Sequence, residues 1–160
     1  MLVGVQGQRE TQFDGGRVML DATARGIFLD VPETHHDLLR DPHTGILTTV
    51  NGAGRPQATA VFFLVDANGL LKGSVTTDRQ KYRNLLRNPS CSLFILDPDN
   101  RRRALEIRAD AELVPDPEMD VLRQFAARYD MPFETLARSG NQDRVAMILR
   151  PRRIVAKSAQ

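Results

Sequence analysis

Cysteine, tryptophan and long apolar runs are scarce or missing in this sequence, and each shortage excludes a class of protein. The one cysteine, Cys91, cannot form a disulfide within its own chain. Such a composition favours a reducing compartment, so we expect a cytoplasmic protein. No apolar run reaches the roughly 18 residues of a membrane-spanning helix, and no basic stretch followed by an apolar one opens the chain. We therefore expect neither a membrane partner nor a signal peptide.

The chain also lacks a large net charge, so its overall charge does not indicate a polyanionic partner. The chain carries 22 Lys and Arg against 20 Asp and Glu, a formal net charge of +2. A nucleic-acid surface would need aromatic side chains interleaved with basic ones. Neither of the two tyrosines, Tyr82 and Tyr129, lies in such a pattern. We therefore expect no nucleic acid as a partner.

The length of 160 residues suits one domain with one hydrophobic core. Residues 1–20 lack a clear hydrophobic period and contain four glycines. We interpret them as a flexible leader, or as an arm that packs on a partner subunit. Residues 21–160 are expected to form the single domain.

Short β-forming segments alternate with turn signals along most of this domain. The predicted strands are 45–50, 57–65, 70–76, 91–96, 104–113, 145–149 and 153–156. Asn68-Gly69 is a strong hairpin signal, and the first three strands together predict a meander. Residues 104–113 alternate apolar and polar side chains, as expected for a strand with one face in water. Pro151 is expected to separate the last two strands.

Helical signals lie between these strands. Helices are predicted over 32–40, from Asp78 as an N-cap to Asn88, over 117–129 and over 132–138. The whole pattern predicts a mainly β, α+β fold of six or seven antiparallel strands. The interposed helices favour a barrel with flanking helices over a plain sandwich.

The most informative stretch is 73–85, which runs from a strand through a polar turn into the start of a helix. Unpaired N–H groups and the helix dipole favour an anion at such a terminus. Thr76 and Thr77 offer hydroxyls, Arg79 can bind a phosphate with two parallel hydrogen bonds, and Lys81 adds a compact charge. These residues alone leave two interpretations open: a phosphate site, or a surface helix with a solvated basic face.

The order of the elements and several motifs resemble the pyridoxamine 5'-phosphate oxidase-like superfamily, the FMN-binding split barrels, and most closely its deazaflavin-dependent branch. The resemblance spans roughly residues 32–157. The motifs that carry it are GILTTVNGAGRPQATAVFFLVD (45–66), SVTTDRQKYRNLLRNP (74–89), CSLFIL (91–96) and VAMILRPRRI (145–154). It implies an antiparallel split β-barrel and a homodimer with the cofactor at the subunit interface.

The same resemblance implies a set of cofactor-binding residues. They are Thr48, Gln57, Thr59, Ser74, Val75, Thr76, Thr77, Arg79, Gln80 and Lys81. Arg79 and Lys81 match the basic pair that holds the cofactor phosphate. Residues 74–77 match the strand end that lies along the ribityl chain and ring, whereas Gln57 and Thr59 match polar side chains that approach the ring.

The function implied is hydride transfer between reduced coenzyme F420 and a small-molecule substrate, an electron-poor organic compound. The alternatives are an FMN flavoprotein, oxidase or reductase, and a non-catalytic cofactor-binding protein. F420 carries a phosphodiester and a polyglutamate tail, so Arg101–Arg103 are interpreted either as a basic rim for that tail or as a solvated loop. No catalytic acid or base stands out. Pyridoxamine phosphate oxidases carry a Trp in a C-terminal substrate segment, and this chain has none, so oxidation of vitamin B6 phosphates is not expected.

Two further groups of residues are given structural interpretations. His35, His36 and His43 lie close together in the sequence, but adjacent side chains on a helix point in different directions. We interpret them as surface histidines, and we expect no metal site. Cys91 opens an apolar strand and is interpreted as a buried, inert thiol.

Overall fold

The structure, a computed structural model, describes residues 11–13, 16–18, 26–141 and 143–158. Most of the predicted leader lies outside these residues, although Thr11–Phe13 (β1) and Gly16–Val18 (β2) form an antiparallel pair. The main sheet consists of β3 (Gly45–Val50), β4 (Pro56–Val61), β5 (Leu64–Val65), β6 (Leu71–Thr76), β7 (Ser90–Leu96), β8 (Ala104–Pro115) and β9 (Arg144–Lys157). The α-helices are α1 (Asp37–Arg40), α2 (Gln80–Arg87), α3 (Asp120–Arg128) and α4 (Phe133–Ala137), with 3-10 turns at Ile27–Leu29 and Glu33–His35.

The seven strands form one antiparallel sheet in the order β4-β3-β7-β8-β9-β6-β5. Its two edge strands, β4 and β5, are joined by only Phe62 and Phe63. Three residue steps span at most about 11 Å, so the two edges must lie close to each other. The sheet therefore curls into a barrel that is split between β4 and β5, and the predicted antiparallel split barrel with flanking helices is confirmed.

The predicted meander is wrong in one respect. The hairpins β3–β4 and β5–β6 both form, but β6 pairs with β9 and not with β4. The predicted strand 57–65 is interrupted at residues 62–63. There the hydroxyl of Tyr129 accepts a hydrogen bond from the N–H of Phe63 and donates one to its carbonyl. The Tyr129 hydroxyl thus satisfies the two backbone groups of Phe63 that a neighbouring strand would otherwise pair with. At this point the chain passes from one edge of the sheet, β4, to the other, β5.

The predicted break at Pro151 is also wrong. Residues 144–157 form one continuous strand, β9, that pairs with β8 throughout. The register shifts between Arg108 and Ala109, which pair with Arg153 and Pro151, so that Arg152 is the extra residue of a bulge. A bulge accommodates proline, which has no N–H for the ladder, without ending the strand.

Two apolar clusters hold the fold together. The barrel interior is filled by side chains that are at most 1% exposed, among them Leu47, Leu93, Ile95, Leu105 and Ile107. The second cluster packs α3 and α4 against the barrel. It contains Leu64, Val121, Leu122, Phe125, Leu136 and Ala146. This second cluster fixes the loop that follows α4 beside the end of β6.

The interpretation of the histidines as surface residues is wrong for two of the three. His35 and His36 are 1% and 8% exposed. The Nε2 of His35 bonds to the carbonyl of Lys157 at 2.8 Å, and that of His36 to the carbonyl of Val31 at 2.8 Å. Both rings are buried, and each is hydrogen-bonded to a backbone carbonyl. None of the helices in the described part of the chain is long and apolar enough to cross a membrane.

Candidate functional site

A polar cleft of about 230 Å³ lies where β4, β6, the start of α2 and the start of β9 meet. Its lining residues are Gln57, Thr59, Ser74, Val75, Thr76, Arg79, Gln80, Lys81, Ser139 and Arg144. Because β4 is one edge of the sheet and β6 lies next to the other edge, the cleft crosses the split of the barrel. The cleft brings together eight of the ten residues predicted to bind a cofactor, and it adds Ser139 and Arg144.

The start of α2 forms the anion-accepting end of the cleft. Asp78 was predicted as its N-cap, and this is wrong: the carboxylate of Asp78 accepts a hydrogen bond from the Thr76 hydroxyl at 2.5 Å. Arg79 takes the N-cap position, and its side chain makes no capping hydrogen bond. The first N–H groups of α2 therefore have no side-chain cap among the described residues, and they remain available to an anion.

Two cations flank this helix start. Lys81 is half-buried and makes no ion pair within the part of the chain that the structure describes. Burial, and then the charge of Arg79, lower the pKa of Lys81. Arg79 is more exposed, and its guanidinium donates a long hydrogen bond to Ser139 at 3.3 Å. A bound phosphate would relieve the repulsion between the two cations.

The buried side-chain amide of Asn84 holds two of the polar side chains of the cleft in place. Asn84 is fully buried, and its Nδ2 donates to Thr49 at 3.0 Å and to Gln57 at 2.9 Å. Its Oδ1 accepts from Gln80 at 2.8 Å. Gln57 of β4 and Gln80 of α2 both line the cleft, and both are hydrogen-bonded to Asn84. The sequence does contain a local signal for the Gln80–Asn84 contact, because a spacing of four puts both residues on one face of a helix.

The loop after α4 forms another wall of the cleft. Gly140 has a φ of +83°, and a Cβ at this position would collide with Thr76. The neighbouring Asn141 donates from its Nδ2 to the hydroxyl of Thr77 at 3.0 Å. Thr77 therefore lies outside the cleft and holds this loop. Sequence reasoning missed Ser139 and Arg144 because they come some sixty residues after the motif. The β6–β9 pairing brings Arg144 to it, and the packing of the loop after α4 against Thr76 brings Ser139.

The cleft also contains polar atoms without partners. Thr59 Oγ1 and Arg144 Nε are both buried and make no hydrogen bond in the described chain. Buried polar atoms are nearly always paired, so these two atoms indicate room for a polar ligand. The donors and cations fit a phosphate with an attached polar chain. The volume is below the roughly 300 Å³ at which pockets for whole cofactors begin, so this chain alone does not enclose a tricyclic ring.

Thr48 lies in a different place from the other predicted residues. In β3, Thr49 faces inward to Asn84, and the strand period of two turns Thr48 to the outer face. There it lines a second cleft of about 330 Å³ that also includes Cys91. Burial, and then the charge of Asp110, raise the pKa of Cys91 to about 12. This thiol is protonated at neutral pH and unreactive, as its sequence context predicted.

The interpretation of Arg101–Arg103 as a rim of the cleft is wrong for a single chain. Arg103 is held by the carboxylates of Asp37 and Asp97. The residue that follows it, Ala104, pairs with Lys157 at the far end of β9 from Arg144. Thirteen strand residues span roughly 40 Å, so the basic turn and the cleft lie at opposite ends of the sheet.

Comparison with known proteins identifies the family of the chain. A family model described as pyridoxamine 5'-phosphate oxidase matches residues 31–158. No curated protein matches the chain.

Several solved structures are similar to this chain in both sequence and fold. A structure described as an F420 reductase is 40% identical, covers 78% of this chain and 98% of its own, and superposes with a TM-score of 0.71. A conserved hypothetical protein of Mycobacterium tuberculosis is 26% identical, with coverages of 80% and 85% and a TM-score of 0.65. HutZ, the heme storage protein of Vibrio cholerae, shares the fold at 21% identity, with coverages of 78% and 92% and a TM-score of 0.64. With its split barrel and a family match over most of its length, the chain belongs to the pyridoxamine 5'-phosphate oxidase family in its broad split-barrel sense.

Proposed function

We propose that this protein binds coenzyme F420 and transfers a hydride between the reduced cofactor and an electron-poor organic substrate. The observation that carries the proposal is the anion-accepting end of the cleft, where Arg79 and Lys81 flank the uncapped start of α2. The likeness to an F420 reductase at 40% identity supports F420 as the cofactor. F420 supplies the hydride chemistry when bound, and the protein binds and orients it.

We assign different parts of the cofactor to different residues of the cleft. Arg79 and Lys81 hold the phosphodiester through charged hydrogen bonds. Gln57 and Thr59 offer an amide and an unpartnered hydroxyl to the polar chain and the ring edge. Ser74 and Thr76 line the floor of the cleft. The network around Asn84 keeps Gln57 and Gln80 in fixed positions.

A second copy of the chain would complete the site. One chain offers a cleft of about 230 Å³, too small for the ring system. An apolar patch also lies on the outer face of the sheet: Ile46 and Leu96 are 39% and 44% exposed, and Ile46 pairs with Ala60 and Phe94 in the neighbouring strands. We therefore propose a homodimer that buries this patch, with a cofactor site at the interface.

A second candidate is a protein that binds a flavin-type cofactor without catalysing its turnover. It is favoured by the lining of the cleft, which contains no carboxylate and no histidine among the residues that the structure describes. No side chain of that type is placed there to protonate a substrate. FMN also remains an alternative cofactor, because it shares the phosphate and polyol chain that the cleft suits.

Purified protein titrated with F420 and with FMN, followed by fluorescence, tests the proposal. We expect F420 to bind more tightly than FMN, and the reduced F420 complex to be oxidised by at least one member of a panel of electron-poor substrates. A yellow preparation that retains FMN would favour the flavoprotein. Tight F420 binding without oxidation by any substrate would favour the non-catalytic binder, and failure to bind either cofactor would contradict the proposal.

A further inference from the structure

Arg144 is a buried cation at the start of β9, opposite Thr76 of β6 in the sheet register. The residue is 7% exposed and lines the cleft. The Nη2 group donates to the backbone carbonyls of Leu136 at 3.0 Å and Ser139 at 2.7 Å. The Nη1 group makes only a long bond of 3.4 Å to the Ser74 hydroxyl, and Nε has no partner in the described chain. Donor capacity therefore remains for a ligand.

The charge of Arg144 has no direct counter-ion. An arginine stays protonated at any pH of interest, and a buried charge is costly unless it is paired. Among the described residues, no carboxylate lies within ion-pair distance of it. Asp116 and Asp78 attract it from farther away, but Asp116 accepts N–H groups at the start of α3 and Asp78 accepts the Thr76 hydroxyl.

Arg144 shares the cleft with the two other cations. Burial lowers the pKa of Arg144 first, and the charge of Arg79 lowers it further. The charge of Arg79 also lowers the pKa of Lys81. The charge of Arg79 thus acts on both Lys81 and Arg144, and all three cations line the same cleft. An anion placed among them would be stabilised by all three.

We propose that Arg144 is the third cation of this anion site and contacts the phosphate or phosphodiester of the bound ligand. The proposal rests on the proposed function, because it assigns a further residue to the same cleft. It predicts that Arg144 contributes to the preference for a phosphorylated ligand over its phosphate-free counterpart. If Arg144 only ties the loop after α4 to the sheet, replacing it should weaken binding of the phosphorylated and the phosphate-free ligand equally and leave the preference unchanged.

The experiment compares variants on matched ligands. Arg144→Gln removes the charge, and Arg144→Lys keeps it. The control is Arg128→Gln, because Arg128 also donates its Nη2 to two backbone carbonyls, those of Leu39 and Asp41, and also has an unpartnered Nε, yet does not line the cleft. Dissociation constants are measured for FMN and riboflavin, which differ only by the phosphate, and for F420 and its phosphate-free deazaflavin chromophore.

We expect Arg144→Gln to weaken binding of the phosphorylated ligand by about 10- to 100-fold, as for a lost charged hydrogen bond, and to leave the phosphate-free ligand within about 3-fold. Arg144→Lys should retain most of the preference, and Arg128→Gln should retain all of it. Equal weakening of both members of a ligand pair by Arg144→Gln, or weakening of neither, would overturn the proposal.

Failure of the proposed function gives a different result from failure of this inference. If the wild-type protein binds none of the four ligands, the proposed function fails. Inorganic pyrophosphate then tests the anion site directly through the melting temperature. Stabilisation of the wild type that is absent from Arg144→Gln supports the role of Arg144, whereas equal stabilisation of both, or of neither, overturns it.

Discussion

At the scale of single residues, Asn84 controls the direction of two polar side chains that no other described contact ties together. It donates to Gln57 from a position with no exposed surface and accepts from Gln80. An apolar replacement would leave Gln57 and the hydroxyl of Thr49 without their donor inside the protein. Gln57 is partly exposed and can turn to water, so most of the cost comes from the buried Thr49 hydroxyl and amounts to about 1–3 kcal/mol. Asn84 is therefore a positioning residue for the cleft as well as a structural one.

We predict that Asn84→Ala lowers the free energy of unfolding by about 1–3 kcal/mol and also weakens cofactor binding, because Gln57 and Gln80 lose their alignment. Urea unfolding and a fluorescence titration measure the two effects. Asn88→Ala is the control: its carboxamide accepts only the N–H of Ser90 at the other end of α2. An Asn84→Ala variant with wild-type cofactor affinity would contradict the positioning role.

At the scale of elements, the strands with strong local signals were predictable from the sequence, and the long-range connections were not. The hydrophobic alternation of 104–113 and the β-forming run 45–50 both appear as strands at those positions. The interruption at Phe62 and Phe63 depends on a hydroxyl of Tyr129, some sixty-six residues away. Contacts between residues so far apart leave no local pattern in the sequence. The local signals alone therefore predicted a meander, whereas β6 pairs with β9.

The same distinction applies to the candidate site. The turn and helix start over 74–81 carry a local signal, since hydroxyls, cations and a helix terminus follow one another directly. Gln57 and Thr59 were obtained from the family resemblance. Ser139 and Arg144 had no signal, because their place in the cleft depends on the packing of the loop after α4 and on the register of β9 against β6. Asp78 illustrates a local signal that a competing partner, Thr76, overrides.

At the scale of the whole molecule, the split of the barrel is where the proposed chemistry would occur. The cleft crosses that split, and the apolar patch of Ile46, Ala60, Phe94 and Leu96 lies on the outer face of the sheet. Exposed apolar side chains grouped on one face of a sheet are a typical interaction surface. In our proposal, the homodimer buries this exposed apolar surface, and the second copy also completes the cofactor site.

We predict a native mass of twice the 17.9 kDa of one chain, measured by analytical ultracentrifugation. Ile46→Lys should shift the equilibrium toward the monomer, because it places a charge in the centre of the patch. Leu86→Lys is the matched control, since Leu86 is 60% exposed but lies on α2, away from the patch. A monomeric wild-type protein, or a dimer that resists Ile46→Lys, would argue against this interface.

The central claim, that the start of α2 holds the phosphate of a deazaflavin, is tested most directly by the F420 affinity of Lys81→Ala. Loss of one charged hydrogen bond predicts a weakening of about 1.5–3 kcal/mol, or roughly 10- to 150-fold in the dissociation constant. Arg87→Ala removes the same charge from the other end of the same helix and should leave the affinity unchanged. An unchanged F420 affinity in Lys81→Ala, or an equal loss in both variants, would contradict the account.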